Sequence, residues 1–192
     1  ARWKGTKSPY VFDRKKANRV CALCEYFRHI KGPLAGERIV LEPWQVFILT
    51  TVFGWVDQHG NRRFRQVYVE VPRGNGKSAL SSAVALIMLM ADGEKGAEVY
   101  SLATTADQAR IVFDVSKAMA RKSPDLLERV GARVGAHAIT VESESSVFKP
   151  LASDSSSLDG LNIHFACVDE LHAHKTRDLY DVVETALGKR LQ

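Results

Sequence analysis

Residues 67–78 read Val67-Tyr68-Val69-Glu70-Val71-Pro72-Arg73-Gly74-Asn75-Gly76-Lys77-Ser78. The β-branched and aromatic residues Val67, Tyr68, Val69 and Val71 predict a core strand that Pro72 ends. Gly74 and Gly76 let the backbone turn tightly with its N–H groups inward, without Cβ clashes. Lys77 and Ser78 then open an apolar helix, Ala79 to Met90. A strand, a glycine-rich turn and a helix start bring unpaired N–H groups and the positive end of a helix dipole to one point, which favours an anion. Lys77 adds a full positive charge suited to the β- and γ-phosphates of a nucleotide, and the Ser78 hydroxyl suits Mg²⁺. The stretch fits the general phosphate-loop pattern in part. Gly76, Lys77 and Ser78 match it, while Val71 stands where the pattern has its first glycine.

A chain of 192 residues is long enough for one domain with a substantial core. The longest apolar run, Ala83 to Ala91, is too short to span a bilayer, and the basic N-terminus lacks the apolar stretch of a signal peptide. The expectation is a cytoplasmic protein with no membrane partner. The net charge of +5 favours an anionic partner. Three cysteines, an odd count, argue against a disulfide framework. Cys21 and Cys24 form one CxxC without a second ligand pair, and read as thiols on a helix face.

Asp13 is a plausible cap for a helix running to about Ile30, and Gly32-Pro33 breaks it. Residues 37–41 look extended. Pro43 opens an apolar helix through Val52. Residues 54–66 suggest a hairpin or loop turning at His59-Gly60-Asn61, followed by Arg62, Arg63 and Arg65. Those arginines form either a solvated rim or contacts to nucleic-acid phosphates. Glu98 to Ala103 reads as a second strand. Thr105 and Gln108 form a capping box for a helix to about Lys122. A short helix follows Ser123-Pro124. Residues 137–143 and 146–152 alternate as a hairpin would, and residues 153–160 are a polar loop. Asn162 to Val168 is another core strand, and a last helix covers about Thr176 to Lys189. Strands alternating with helices imply a parallel sheet covered on both faces, with ligands at the carboxyl ends of its strands.

The strand ending at Val168 delivers Asp169-Glu170 to such an end. Two adjacent acids there suit the Walker B role, in which Asp169 holds Mg²⁺ and Glu170 orients and deprotonates the attacking water. Gln45 offers an amide that both donates and accepts, matching the N6/N7 edge of adenine; the alternative is an ordinary helix-surface residue. His172 and His174, two apart on a turn, read as polar loop residues rather than metal ligands. No guanine-reading Asn-Lys-x-Asp occurs in the chain.

In order and spacing, three segments resemble the large subunit of tailed-phage terminases. They are Leu41-Glu42-Pro43-Trp44-Gln45, Val71 to Ser78, and Cys167-Val168-Asp169-Glu170. The resemblance covers essentially the whole chain. It implies an α/β P-loop NTPase with a mostly parallel central sheet covered by helices on both faces. It also implies an ATPase with ATP and Mg²⁺ as cofactors, powering double-stranded DNA translocation into a procapsid in the host cytoplasm. Pro72, Arg73, Gly74, Asn75, Gly76, Lys77 and Ser78 would bind the nucleotide together with Gln45. Arg73, Lys77 and Glu170 would be catalytic, and Ser78 and Asp169 would hold the metal. Thr105 and Gln108 look like the family's motif after the second strand.

The implied partners are DNA, the portal and the small terminase subunit, in a homo-oligomeric ring that is a monomer in isolation. The arginine that some family members place in the loop before Walker B is missing here, so a cation acting in trans would be Arg190 or Arg177; Arg190 also reads as an ordinary cation at a helix C-terminus. Residues 1–34 are expected to form a basic segment and lead-in helix packed on the core. Residues 35–192 would form the ATPase core, ending before the coupling motif and nuclease domain, so nuclease activity is not carried over. Two rival readings are a DNA-stimulated helicase-like ATPase and a module that binds ATP without hydrolysing it.

Overall fold

A computed structural model describes residues 8–152, 160–173 and 176–187 of the chain. The described elements run β1 (Val11–Phe12), α1 (Arg14–Tyr26), α2 (Pro43–Gly54), β2 (Trp55–Val56), α3 (Lys77–Met90), β3 (Glu98–Ala103) and α4 (Ala106–Arg121). They continue with α5 (Pro124–Val130), β4 (Ala132–Val134), β5 (Ile139–Val141), β6 (Ser146–Ala152), β7 (Ile163–Val168) and α6 (Asp178–Leu187).

Local chemistry explains most boundaries. Asp13 caps α1 by accepting the N–H groups of Lys15 and Lys16 at 2.8 and 3.1 Å. The helix stops at Tyr26, short of the expected Ile30, because Phe27 turns extended and joins the core while Arg28 bridges to Arg38. Pro43 occupies the first turn of α2, where a missing N–H costs nothing. Trp55–Val56 pairs with Val11–Phe12, and Arg62 returns to bridge Val56 around the Asp57–Asn61 turn.

The main sheet has five strands in the order β4-β5-β6-β3-β7. β3 pairs in parallel with both β6 and β7, whereas β5 is antiparallel to both β4 and β6. The sheet is therefore mixed rather than mostly parallel. The turns at 135–138 and 142–145 are too short for a crossover, so the strands they join must run antiparallel.

A second correction concerns residues 67–71. They form no strand, and Val67 and Tyr68 are 50% and 70% exposed. Strand composition becomes a strand only where a neighbour meets the backbone N–H and C=O groups. Among the described residues, β7 pairs only with β3. The segment is held by side chains instead: Gln66 donates to Glu184 and accepts from the Tyr180 hydroxyl, both on α6.

Helices cover both faces of the sheet. Val99 of β3 lies in a core with Leu86, Leu89, Phe113 and Phe148, and Phe113 and Phe148 meet edge to face with ring centres 5.2 Å apart. Val20, Cys24 and Phe27, from α1 and its end, join that same core. Tyr100 and Leu102, on the other face, pack with Ile163, Leu179, Val183 and Ala186, so α6 closes that side. The alternation along β3 thus sorts its side chains between two helical layers. No helix among the described residues is long and apolar enough to cross a membrane.

Candidate nucleotide site

Because β3 and β7 are parallel, with Leu102 beside Val168, their carboxyl ends share one edge of the sheet. Asp169 follows β7 and its N–H donates to the Leu102 carbonyl at 3.0 Å, which fixes the acid to that edge. α3 packs against β7 and begins at the same edge. The two motifs, over ninety residues apart in sequence, therefore meet.

Lys77 Nζ lies 3.1 Å from Asp169 Oδ1 and 3.5 Å from Glu170 Oε1. The hydrogen bond to Asp169 raises the Lys77 pKa above its ordinary value; partial burial opposes this, and the charges of Asp169 and Glu170 add to the rise. Lys77 is thus held as a cation. Glu170 adopts a left-handed backbone, φ 49°, uncommon for a residue with a Cβ. Its N–H donates to Asp169 Oδ1 at 3.0 Å, so both bonds to the aspartate fall on one oxygen.

The loop before α3 is built for close backbone approach. Gly74 and Gly76 have φ of 86° and 75°, and Asn75 Nδ2 donates to the Pro72 carbonyl at 3.0 Å. Gly76 is the N-cap of α3 and brings no side chain to it, so the cap position itself leaves the first-turn N–H groups open. Pro72, Arg73, Gly74 and Asn75 are exposed, while Lys77 and Ser78 are half-buried. Gln45 is buried in the first turn of α2. Its Oε1 accepts the Glu42 N–H at 3.0 Å, and its Nε2 lies where a Cβ on Gly76 would come within 3.6 Å. The fold thus places Gln45 beside the loop, with one end of its amide already engaged by its own helix.

Thr105 caps α4 by accepting the Gln108 N–H. The Gln108 side chain does not return to Thr105; its Oε1 accepts the Thr104 hydroxyl instead. Thr104, just past the end of β3, is a residue the sequence reasoning missed. The Thr-Thr doublet at a strand end was the available signal.

Arg177 is exposed on the last helix's lead-in, 3.6 Å from Asp181 and over the Tyr180 ring. Arg190, His174, the side chain of His172 and the loop residues Leu158 and Asp159 lie outside what the structure describes. In the basic run at 62–65, Arg62 departs from both alternatives, whereas Arg63 stays exposed, as a solvated rim would, while stacking on neighbouring rings. Arg62 is half-buried and bonds Asp92 at 2.6 Å, and Arg63 stacks among Tyr10, Trp55 and Phe64. Cys24 is buried and its thiol is pushed up to about 12, chiefly by burial, so it is an inert core group. Among the described residues no three His, Cys, Asp or Glu side chains converge as a metal cage.

Residues 43–192 match the family described as "Terminase large subunit, ATPase domain". The chain is 25% identical over 177 residues to a "Terminase, large subunit" of Enterobacteria phage HK97, covering 90% of this chain and 34% of the relative. It also superposes on the crystal structure of the HK97 bacteriophage large terminase with a TM-score of 0.75 at 21% identity, covering 91% of this chain and 36% of that one. The chain thus spans about a third of the length of these relatives. This chain belongs to the terminase large-subunit ATPase-domain family.

Proposed function

We propose that the chain is the ATP-hydrolysing motor domain of a phage DNA-packaging machine, acting on double-stranded DNA. The observation that carries this reading is the contact of Lys77 with Asp169 and Glu170 beside a helix start whose cap residue is a glycine. In this reading the 72–78 backbone cradles the phosphates, and Lys77 moves from the two acids to the β- and γ-phosphates. Mg²⁺ keeps several water and phosphate ligands and takes only one or two from protein. The hard oxygens of Ser78 and Asp169 suit that demand without a cage. Mg²⁺ there would offset charge on the phosphates. Glu170, released from Lys77, accepts a proton from the attacking water. Arg73 faces solvent on the loop and would complete the charge around the phosphates. Gln45 reads the adenine with its Nε2 amide.

Turnover depends on assembly in this account. A cation from a neighbouring subunit is worth about 10³–10⁵ in rate, and Arg190 or Arg177 would supply it, so the isolated chain binds ATP and turns it over slowly. The portal and a small terminase subunit are the proposed partners of the assembled ring.

Lys77→Ala tests the site. Calorimetry should show Mg-ATP affinity reduced roughly 30-fold or more, the cost of removing one member of a desolvated charge contact. Affinity equal to the parent's would move the phosphates elsewhere.

A further inference from the structure

Three elements bring residues to the nucleotide site: α2 with Gln45, α3 with Lys77 and Ser78, and β7 with Asp169. All three meet again at their other ends. His164, the second residue of β7, places Nε2 2.9 Å from Asp92 Oδ2, just past the end of α3. Asp92 Oδ1 takes the Arg62 guanidinium at 2.6 Å. That guanidinium lies over the ring of Phe53, in the last turn of α2, 5.4 Å from its centre. Arg62 itself is anchored by its bridge to Val56.

The cluster lines a cavity of ≈ 230 Å³ whose other cations already donate into the fold. Lys16 Nζ gives to the Gly60 carbonyl and Arg19 to the Ala91 carbonyl, the latter at the end of α3. The charged contacts described here, from Lys16, Arg19, Arg62 and His164, each tie one segment to another, which marks a fastening rather than a ligand site. His164 is 2% exposed, so its 2.9 Å contact with Asp92 is sheltered from solvent and salt.

We propose that His164 is a positioning residue for ATP hydrolysis: with Asp92, Arg62 and Phe53 it sets the register of α3 and α2 against β7. At 1.5 Å per helical residue and 3.3 Å per strand residue, the Asp92–His164 and Lys77–Asp169 contacts are rungs about 20 Å apart on the same two elements. Fixing the far rung fixes how far along β7 the helix start sits, and so where Lys77 and Ser78 stand relative to Asp169 and Glu170. Phosphate binding draws mainly on the 72–78 loop, the Asp169–Mg²⁺ contact being one water-exchangeable part of it, and tolerates a small slide. Hydrolysis needs loop and acids in register, and does not.

This inference rests on the nucleotide-site reading above, so its test has two arms. In the full chain, His164→Ala should lower kcat by about 10- to 100-fold, as a misplacement near 1 Å does. KM for Mg-ATP should stay within about twofold, since ground-state binding is kept. Amide hydrogen exchange should quicken at 77–81 and 168–170, far from the substitution. His164→Gln, which keeps a donor of similar reach, should restore kcat.

Unchanged kcat in a folded His164→Ala, with faster exchange confined to 91–94 and 162–165, would overturn the proposal. If that variant does not fold, Phe53→Leu decides: a fall in kcat on the order of threefold is expected from losing the cation–ring contact, and no fall overturns the proposal. Glu170→Gln run alongside separates the two readings. Parent-like turnover in that control would defeat the nucleotide-site reading, while the exchange arm still judges the register.

Discussion

At its first residues helix α3 has a glycine cap, a half-exposed lysine and two acids, one of them on a left-handed backbone. At its last residues the same helix ends beside a buried imidazole, a carboxylate and a guanidinium that contact one another across three elements. Both ends carry charge, and both join α3 to β7. They differ in what would change if a ligand arrived. Lys77, 35% exposed, can swing from Asp169 and Glu170 to take up phosphate, exchanging one anionic partner for another. Asp92 has no such exchange open to it, because breaking a buried pair leaves a desolvated charge. The aspartate side chains at the two ends are similarly sheltered, 13% exposed for Asp169 and 16% for Asp92; what differs is the partner's side chain, Lys77 at 35% against His164 at 1%.

The difference is broken hardest at the open end. Glu170→Gln keeps the shape but cannot accept a proton, so steady-state hydrolysis at saturating Mg-ATP should fall about 10²–10⁴-fold with affinity retained. A rate equal to the parent's would put the base elsewhere.

At the sheltered end the readout is stability. Burial pushes the Asp92 carboxyl up, but the imidazole of His164 beside it and the Arg62 guanidinium outweigh it and hold it at about 2. A pKa depressed in the folded state stabilises above the unfolded value of about 3.9 and loses that contribution as pH falls toward 2. Asp92→Asn should therefore cost about 2 kcal/mol at pH 7 and progressively less between pH 4 and pH 2, roughly following the two pKa values. Denaturant unfolding at several pH values measures it, and a pH-independent difference would show that the charge is not the stabilising element.

Glu170→Gly sharpens the contrast. It removes a Cβ from a left-handed position, and should raise unfolding stability by up to about 1 kcal/mol while abolishing hydrolysis. A clear loss of stability would mean the backbone there is not strained. Arg177→Ala should have the smallest effect on stability, within about 0.5 kcal/mol, since its pair with Asp181 is largely exposed. A thermal melt shifted by many degrees would give Arg177 a structural role it lacks here.

The open end was legible in the sequence because its chemistry is local. A glycine turn, a lysine and a paired acid each appear as short words, and placing both at carboxyl ends of strands was enough to expect that Gly76-Lys77-Ser78 and Asp169-Glu170 would meet, although the strand expected before Gly76 does not form. The helices were legible from caps and periodicity: Asp13, Pro43, Thr105 and Pro124 each stand at or next to a helix start. Strand pairing was legible only in part. Val67 to Val71 has strand composition but no ladder partner among the described residues; the antiparallel β5–β6 pair was legible as an alternating hairpin, whereas the third antiparallel strand, β4, was not. The sheltered end was invisible for a related reason. Arg62, Asp92 and His164 sit in three separate segments, each unremarkable alone, and Arg62 was read with its charged neighbours instead of with a partner thirty residues on.

Amide hydrogen exchange, with and without Mg²⁺ and a non-hydrolysable ATP analogue, tests the central claim most directly, because it reads both ends of α3 at once without a substitution. The account predicts slower exchange across 74–81 on nucleotide binding, and unchanged exchange at 91–94 and 162–165. No slowing at 74–81, or equal slowing at both ends, would contradict it.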